Sequence, residues 1–262
     1  MDLDLEDNSA LVLASSSGLG KASAEALARE GTKVTINGRD SRRLEKAVNE
    51  LNRSTRGKVR GVVGDITEKD KIKEIVEETV REQGGLDHLV TCAGGPPSKP
   101  FLETEDEDWY RSFDLLVMSV VRTVRESVQY LNNGRGTIVN ITSMSVKEAV
   151  PGLVLSNSVR MSVIGLMKTL SEELGPNIRI NSVLPGPHQT DRIKELIEEE
   201  IEKGEIENFD EGLQSWKKDI PLDRIGDPIE LGDIVAFLSS PRSSFINGSA
   251  IPIDGGGSSS NL

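Results

Sequence analysis

The chain contains one cysteine, Cys92, so no disulfide can form within it and packing alone must hold the fold. It has two histidines, His88 and His188, and no His, Cys, Asp and Glu grouping with metal-ligand spacing. Aromatic residues make up only 3% of the chain, and Tyr110 and Tyr130 are the only tyrosines. Positive charge is also scarce: 31 Lys and Arg face 43 Asp and Glu, a net charge of −12. A nucleic-acid partner is therefore not expected, because phosphate binding needs clustered cations. No apolar run approaches the roughly 20 residues of a membrane span. The acidic start, MDLDLEDNSA, lacks the basic lead and apolar stretch of a signal peptide. The expectation is a soluble cytoplasmic protein with neither membrane nor metal.

What the chain does contain is a steady alternation. Short Val/Ile/Leu-rich runs at 9–14, 33–37, 59–63, 86–91, 136–142 and 178–184 are bounded by Gly, Asn or Asp, and 251–253 adds a seventh. Runs of this kind are strands buried on both faces of a parallel sheet. Helical patterns separate them, with Thr67-x-x-Asp70 and Thr104-x-x-Glu107 resembling capping boxes. Alternating β and α at this spacing predicts right-handed crossovers and a doubly wound Rossmann sheet of seven parallel strands with helices on both faces. No linker or repeat interrupts it, so residues 1–262 read as one domain. The stretch 191–219 departs from the rhythm, being dense in Glu and Lys with Ile193, Leu196, Ile197 and Ile201 near helical spacing. Composition reads it as a solvated pair of amphipathic helices. Its place after the sixth strand allows a substrate lid over the carboxyl edge of the sheet.

The first strand runs into Ala14-Ser15-Ser16-Ser17-Gly18-Leu19-Gly20-Lys21 and then a helix. Glycines there let backbone N–H groups approach a pyrophosphate at a helix N-terminus, where the dipole favours anions. A tight structural turn is the alternative.

From this loop onward the chain resembles the short-chain dehydrogenase/reductase family, in particular its 3-oxoacyl reductases. ALVLASSSGLGKA matches the family's first strand and TGxxxGxG loop, GDIT its adenine-contact acid, and LVTCAGG its NNAG segment. GTIVNITS matches the catalytic-serine strand, RINSVLPGPHQTD the segment with the PG motif, and PLDRIGDPIELGDIVAFLSSPRSSFINGSAIPIDGG the long C-terminal block. The resemblance implies a dinucleotide held by the loop Ser15, Ser16, Ser17, Gly18, Leu19 and Gly20. Asp65 and Ile66 would flank adenine, and Cys92, Ala93 and Gly94 would line the adenosine side. Pro185, Gly186 and Thr190 would lie near the nicotinamide. At the loop's start Leu13 stands for the usual Thr and Ala14 for the first Gly, which narrows the turn. Where NAD enzymes place an acid after strand two this chain has Gly38, followed by Arg39 with Arg42 and Arg43 nearby. A guanidinium suits a 2′-phosphate, so NADP(H) is expected over NAD(H), unless Arg39 merely starts a solvated helix.

The family works with Asn, Ser, Tyr and Lys. The resemblance places Ser143 at the serine but Leu116 at the Asn, Ser156 at the Tyr and Arg160 at the Lys. No Tyr-x-x-x-Lys occurs anywhere in the chain: Asp114 follows Tyr110 by four residues and Gly134 follows Tyr130. The usual acid is therefore missing. Ser156 and Arg160 share a helix face. Arg160 would carry positive charge to the site and hold ribose hydroxyls, and Ser156 could hold a proton-relaying water. As polar residues opening a packed helix they need have neither role. His188, two residues past Gly186, has a suitable pKa for proton transfer but is also an ordinary loop histidine. His88 alternates into an apolar strand and reads as a core residue, and Cys92 as a buried thiol.

Three functions follow. One is an oxidoreductase moving hydride between NADP(H) and a small carbonyl or alcohol, with an atypical proton relay built from Ser143, Ser156, Arg160 and His188. The alternative is a non-catalytic cofactor-binding or regulatory protein on the same fold; a dehydratase-like enzyme is a weaker third. The resemblance also implies a homotetramer.

Overall fold

The structure, a computed structural model, describes residues 1–131 and 134–260. Seven strands form one sheet in the order β3-β2-β1-β4-β5-β6-β7, every neighbouring pair parallel. They are β1 (Ser9–Val12), β2 (Lys33–Gly38), β3 (Val59–Val63), β4 (His88–Thr91), β5 (Gly136–Ile141), β6 (Ile178–Pro185) and β7 (Ala250–Ile253). Every residue of β1, β4 and β5 is buried, which is why these runs are apolar throughout rather than alternating.

The expected doubly wound Rossmann sheet is therefore present, and its strands sit within two residues of the predicted runs. Strand order reverses between β1 and β4. That crevice, at the carboxyl ends of the strands, is where open α/β sheets take ligands.

Helices cover both faces. On one lie α1 (Gly18–Arg29), α2 (Ser41–Ser54) and α9 (Pro228–Ser239), their Leu27, Leu44, Leu51, Leu231 and Val235 packed on Val12, Ile36 and Val183. On the other lie α3 (Lys69–Gln83), α5 (Ser119–Leu131) and α6 (Val154–Glu173), which close over Leu11, Leu89, Ile138 and Ile180. Helices α1 and α9 approach closely through small residues: a Cβ on Gly232 would lie 2.5 Å from the Ala22 carbonyl oxygen.

Local starts differ from expectation. The predicted cap at Thr67 is not used; α3 starts at Lys69 with Glu68 at its cap, and the Thr67 hydroxyl donates to Asp65 instead. The predicted Thr104 box shifts by one residue, because Glu105 and Asp108 form the reciprocal pair at the start of α4 (Asp106–Phe113). Thr104 is already engaged, donating to the Phe101 carbonyl and accepting from Trp109 Nε1. Between α4 and α5 the chain makes a π turn, Asp114–Met118, with Leu116 buried in it. Such turns concentrate near functional sites.

The 191–219 stretch forms the expected helix pair, α7 (Asp191–Glu202) and α8 (Phe209–Lys217). Ile193, Ile197 and Ile225 make a small core of their own there, joined by Ile201, Ile206, Leu213 and Trp216. Among the described residues no helix is long and apolar enough to cross a membrane.

Candidate active site

Helix α1 begins at the tip of β1 with Ser17 at its cap, making no side-chain cap bond, and no acid in its first turn. Its leading N–H groups are thus left for a guest, and the dipole makes an anion the favoured one. Gly18 has φ +56, a conformation L side chains rarely adopt, and a Cβ on Gly20 would lie 2.7 Å from the Ala14 carbonyl oxygen. Ala14 itself has φ +45, so the residue in place of the family's first glycine occupies the left-handed region at a cost of about 1 kcal/mol.

These residues border a cleft of about 320 Å³. The cleft brings together most of the residues the sequence singled out: Ser17 to Gly20, Cys92 to Gly94, Ser143, Ser156, Arg160, Pro185, Gly186, His188 and Thr190. Ile193 and Leu196 of α7 also line it. The cradle fits a dinucleotide: an uncapped helix N-terminus, glycines where a Cβ would collide, and open space at Gly94, where an added Cβ meets nothing within 4 Å.

Other expected residues lie outside this cleft. Ser15 is fully buried: its hydroxyl donates to the Val12 carbonyl and accepts from Asn37 N, while its own N–H donates to the Asn37 carbonyl. It ties β1 to β2 rather than facing the cleft. Ser16 packs against Gly38, where a Cβ would stand 3.0 Å from its Oγ. Asp65 and Arg39 pair at 3.7 Å at the far end of β2 and β3. Ile66 is buried in the core beside them. The Asp65 pKa is lowered because hydrogen bonds from Thr67 and the Arg39 charge together outweigh burial.

Ser143 caps a single 3₁₀ turn, Met144–Val146, after β5, and its Oγ accepts from Ser145 N at 3.1 Å. Ser145 Oγ lies 3.1 Å from Ser156 Oγ, and Arg160 Nε donates to Ser156 Oγ at 3.2 Å from one helical turn further along α6. Ser145 is the member that sequence reasoning missed. Its signal was its place two residues after a strand-end serine, a spacing typical of hydroxyl turns. Cys92 faces Arg160. Burial pushes its thiol up to about 11, although Arg160 and the Ala93 and Gly20 N–H groups each favour the thiolate.

His188 is buried at the cleft's edge. Its Nδ1 lies 2.9 Å from the Gly186 carbonyl oxygen, which can only accept, so Nδ1 carries the proton and Nε2 is bare. The ring packs against Gly226, where an added Cβ would lie 2.8 Å from Cδ2. Burial lowers its pKa, so the neutral imidazole is the resting form.

Strand order, all-parallel pairing and cleft position define a Rossmann-type α/β protein. The chain belongs to the short-chain dehydrogenase/reductase family. Residues 13–258 match the family model described as Enoyl-(Acyl carrier protein) reductase. The chain is similar to the 3-oxoacyl-[acyl-carrier-protein] reductase of Thermotoga maritima, 33% identical over 96% of this chain and 98% of that one. L-sorbose reductase from Gluconobacter frateurii, solved with NADPH and L-sorbose, superposes with a TM-score of 0.94 at 30% identity over 99% of this chain and 100% of that one. A short-chain oxidoreductase of Pseudomonas aeruginosa PAO1, described as containing an atypical catalytic center, superposes with a TM-score of 0.89 at 30% identity over 98% and 99%.

Proposed function

We propose that the protein is an oxidoreductase acting on a small carbonyl or alcohol with NADP(H), its proton relay built from hydroxyls and a guanidinium instead of the family's Tyr and Lys. The observation carrying this reading is the side-chain string Ser145, Ser156, Arg160, with Ser143 Oγ held next to it by the Ser145 N–H; Ser143, Ser156 and Arg160 line the cleft. Bound at the Gly18–Gly20 cradle, the dinucleotide would supply or accept the hydride.

The chain's own residues do the rest. The N–H groups opening α1 bind phosphate. Arg39 receives the 2′-phosphate, and the glycine at position 38, where an NAD site carries its acid, supports NADP(H). Asp65 and Ile66 flank adenine, Cys92, Ala93 and Gly94 line the adenosine side, and Pro185, Gly186 and Thr190 border the nicotinamide end. Ser143 Oγ holds the substrate oxygen. Ser156 Oγ accepts from Arg160, which leaves its own proton for Ser145 or for a water reaching the substrate oxygen. His188, neutral with Nε2 bare, is the basic group at the cleft's edge. Helices α7 and α8 act as the lid, through Ile193 and Leu196. Assembly into a tetramer would cover Phe101, Leu102, Tyr110, Phe113 and Met161, all exposed on the α4 and α6 side; static light scattering tests it.

The experiment is a fluorescence titration with NADPH and NADH, followed by a panel of ketones, aldehydes and 3-oxoacyl thioesters. Turnover with NADPH is expected. NADPH binding without turnover across the panel leaves the regulatory reading, which the buried Leu116 in the π turn favours.

A further inference from the structure

Arg160 is 8% exposed, yet among the described residues it has no carboxylate partner. Of its five N–H donors, the hydrogen bond to Ser156 uses one. The ionisable group that faces it is the Cys92 thiol, which burial keeps neutral. A cation held this deep without a counter-charge is costly, and a protein keeps one where something else brings the charge.

A second unpartnered donor lies just beneath the cleft. Asn140 is 2% exposed, and its Oδ1 accepts from the Thr91 hydroxyl at 2.8 Å. Its Nδ2 is left with no partner. Asn140, Arg160 and Cys92 border one small void of about 10 Å³ beneath the cleft, barely the room of one water. Arg160 also lines the 320 Å³ cleft above this void, and the guest that matches its remaining donors there is one that only accepts. A guanidinium fork takes a planar two-oxygen anion bidentately, which the point charge of a lysine does not.

We propose that the cleft floor around Arg160 is an anion seat, built to receive a carboxylate or phosphate from a ligand. This rests on the reading of the cleft as the binding site and adds the charge of what it takes. The two sources are a carboxylate next to the reacting carbon of the substrate, which makes the substrate an oxo or hydroxy acid, and a phosphate of the dinucleotide. Helix α1 already provides for the pyrophosphate, which favours the carboxylate.

The test reads thermal stability, so it does not depend on turnover and separates failure of this proposal from failure of the oxidoreductase reading. Wild type and Arg160→Met are melted in chloride buffer, then with sodium pyruvate, neutral methyl pyruvate or sodium phosphate at matched ionic strength, each with and without NADPH. In chloride alone, Arg160→Met is expected to melt no lower than wild type, since it removes a buried charge that has no carboxylate partner. Pyruvate should raise the wild-type midpoint and not the variant's, with methyl pyruvate inert in both. Stabilisation by phosphate in place of pyruvate, together with a tenfold or greater weakening of NADPH in the variant, assigns the seat to the dinucleotide. Arg160→Lys should keep only part of either effect. The proposal is overturned if neither anion separates wild type from variant, or if Arg160→Met lowers the midpoint strongly in chloride, because the guanidinium then serves the apoprotein's own packing.

Discussion

Arg43 Nη2 donates to Asp191 Oδ2 at 3.3 Å, joining the first turn of α2 to the first turn of α7 across 148 positions of sequence. The pair thus links the end of the sheet proposed for the 2′-phosphate with the first helix of the proposed lid. Both side chains are more than half exposed, so the pair contributes about 0.5 kcal/mol and its removal should barely shift the melting temperature. Its effect should be local instead. Asp191→Ala is expected to speed tryptic cleavage at the lid lysines Lys194, Lys203, Lys217 and Lys218 several-fold. An unchanged digestion pattern would show that the bridge does not hold the lid.

Cofactor choice should depend on Arg39. Its guanidinium is exposed and only loosely paired with Asp65 at 3.7 Å, so it is available to a phosphate, and position 38 is a glycine rather than an acid. Arg39→Ala should weaken NADPH about tenfold while leaving NADH within about twofold, the difference being one charge-assisted contact. Equal losses for both nucleotides, in a fluorescence titration, would mean that Arg39 supports the fold of the loop.

Chemistry should depend on Ser143 before any other hydroxyl. Ser143→Ala is expected to lower kcat about a hundredfold with little change in KM, as loss of a contact made chiefly in the transition state does. The double change Ser156→Tyr with Arg160→Lys places a phenol and an ammonium on one face of α6 beside the cleft. It should raise ketone turnover at least about tenfold, since a phenol is a much stronger acid than an aliphatic hydroxyl. Ser156 is buried, so circular dichroism of the double variant must first match wild type.

The sheet and the cleft were legible in sequence, because strands buried on both faces read as unbroken apolar runs and a glycine turn before a helix has few other uses. Val59–Val63 matched to the residue. What sequence could not see were competitions between neighbouring hydroxyls and acids. Thr67 reads as a cap, yet Asp65 takes its hydroxyl. Ser15 reads as a loop ligand group, yet Asn37 and Val12 occupy it. The unpaired state of Arg160 was equally invisible, since it depends on which acids fail to reach it in three dimensions.

The strain at Ala14 gives a prediction on stability. Its φ of +45 costs about 1 kcal/mol in an alanine and nothing in a glycine, although glycine loses roughly half of that advantage to greater freedom in the unfolded chain. Ala14→Gly should therefore raise the melting temperature by about 1–2 °C. It should also tighten dinucleotide binding, because the turn that approaches the pyrophosphate loses a methyl. A variant less stable than wild type would show that the methyl's packing outweighs the backbone strain.

His88 makes stability depend on pH, and its hydrogen bonds fix the direction. Asn8 Nδ2, which can only donate, lies 3.0 Å from His88 Nε2, and His88 Nδ1 lies 2.8 Å from Thr137 Oγ1. The ring is thus neutral, with Nδ1 protonated and Nε2 accepting; a second proton on Nε2 would point at the Asn8 amide. Burial pushes its pKa down from 6.5 to about 4, against the opposing charge of Asp87. Above pH 6.5 the ring is neutral in folded and unfolded chains alike, and its contribution is complete. As pH falls from there towards 4, the unfolded chain takes up a proton that the folded chain refuses, and stability drops by about 1.4 kcal/mol per pH unit. Denaturant titrations across that window should show this slope in wild type, on top of whatever the carboxylates add. In His88→Gln the slope should shrink by that amount, because glutamine can still accept from Asn8 and has no proton to gain. Parallel slopes for the two proteins would place the acid sensitivity elsewhere.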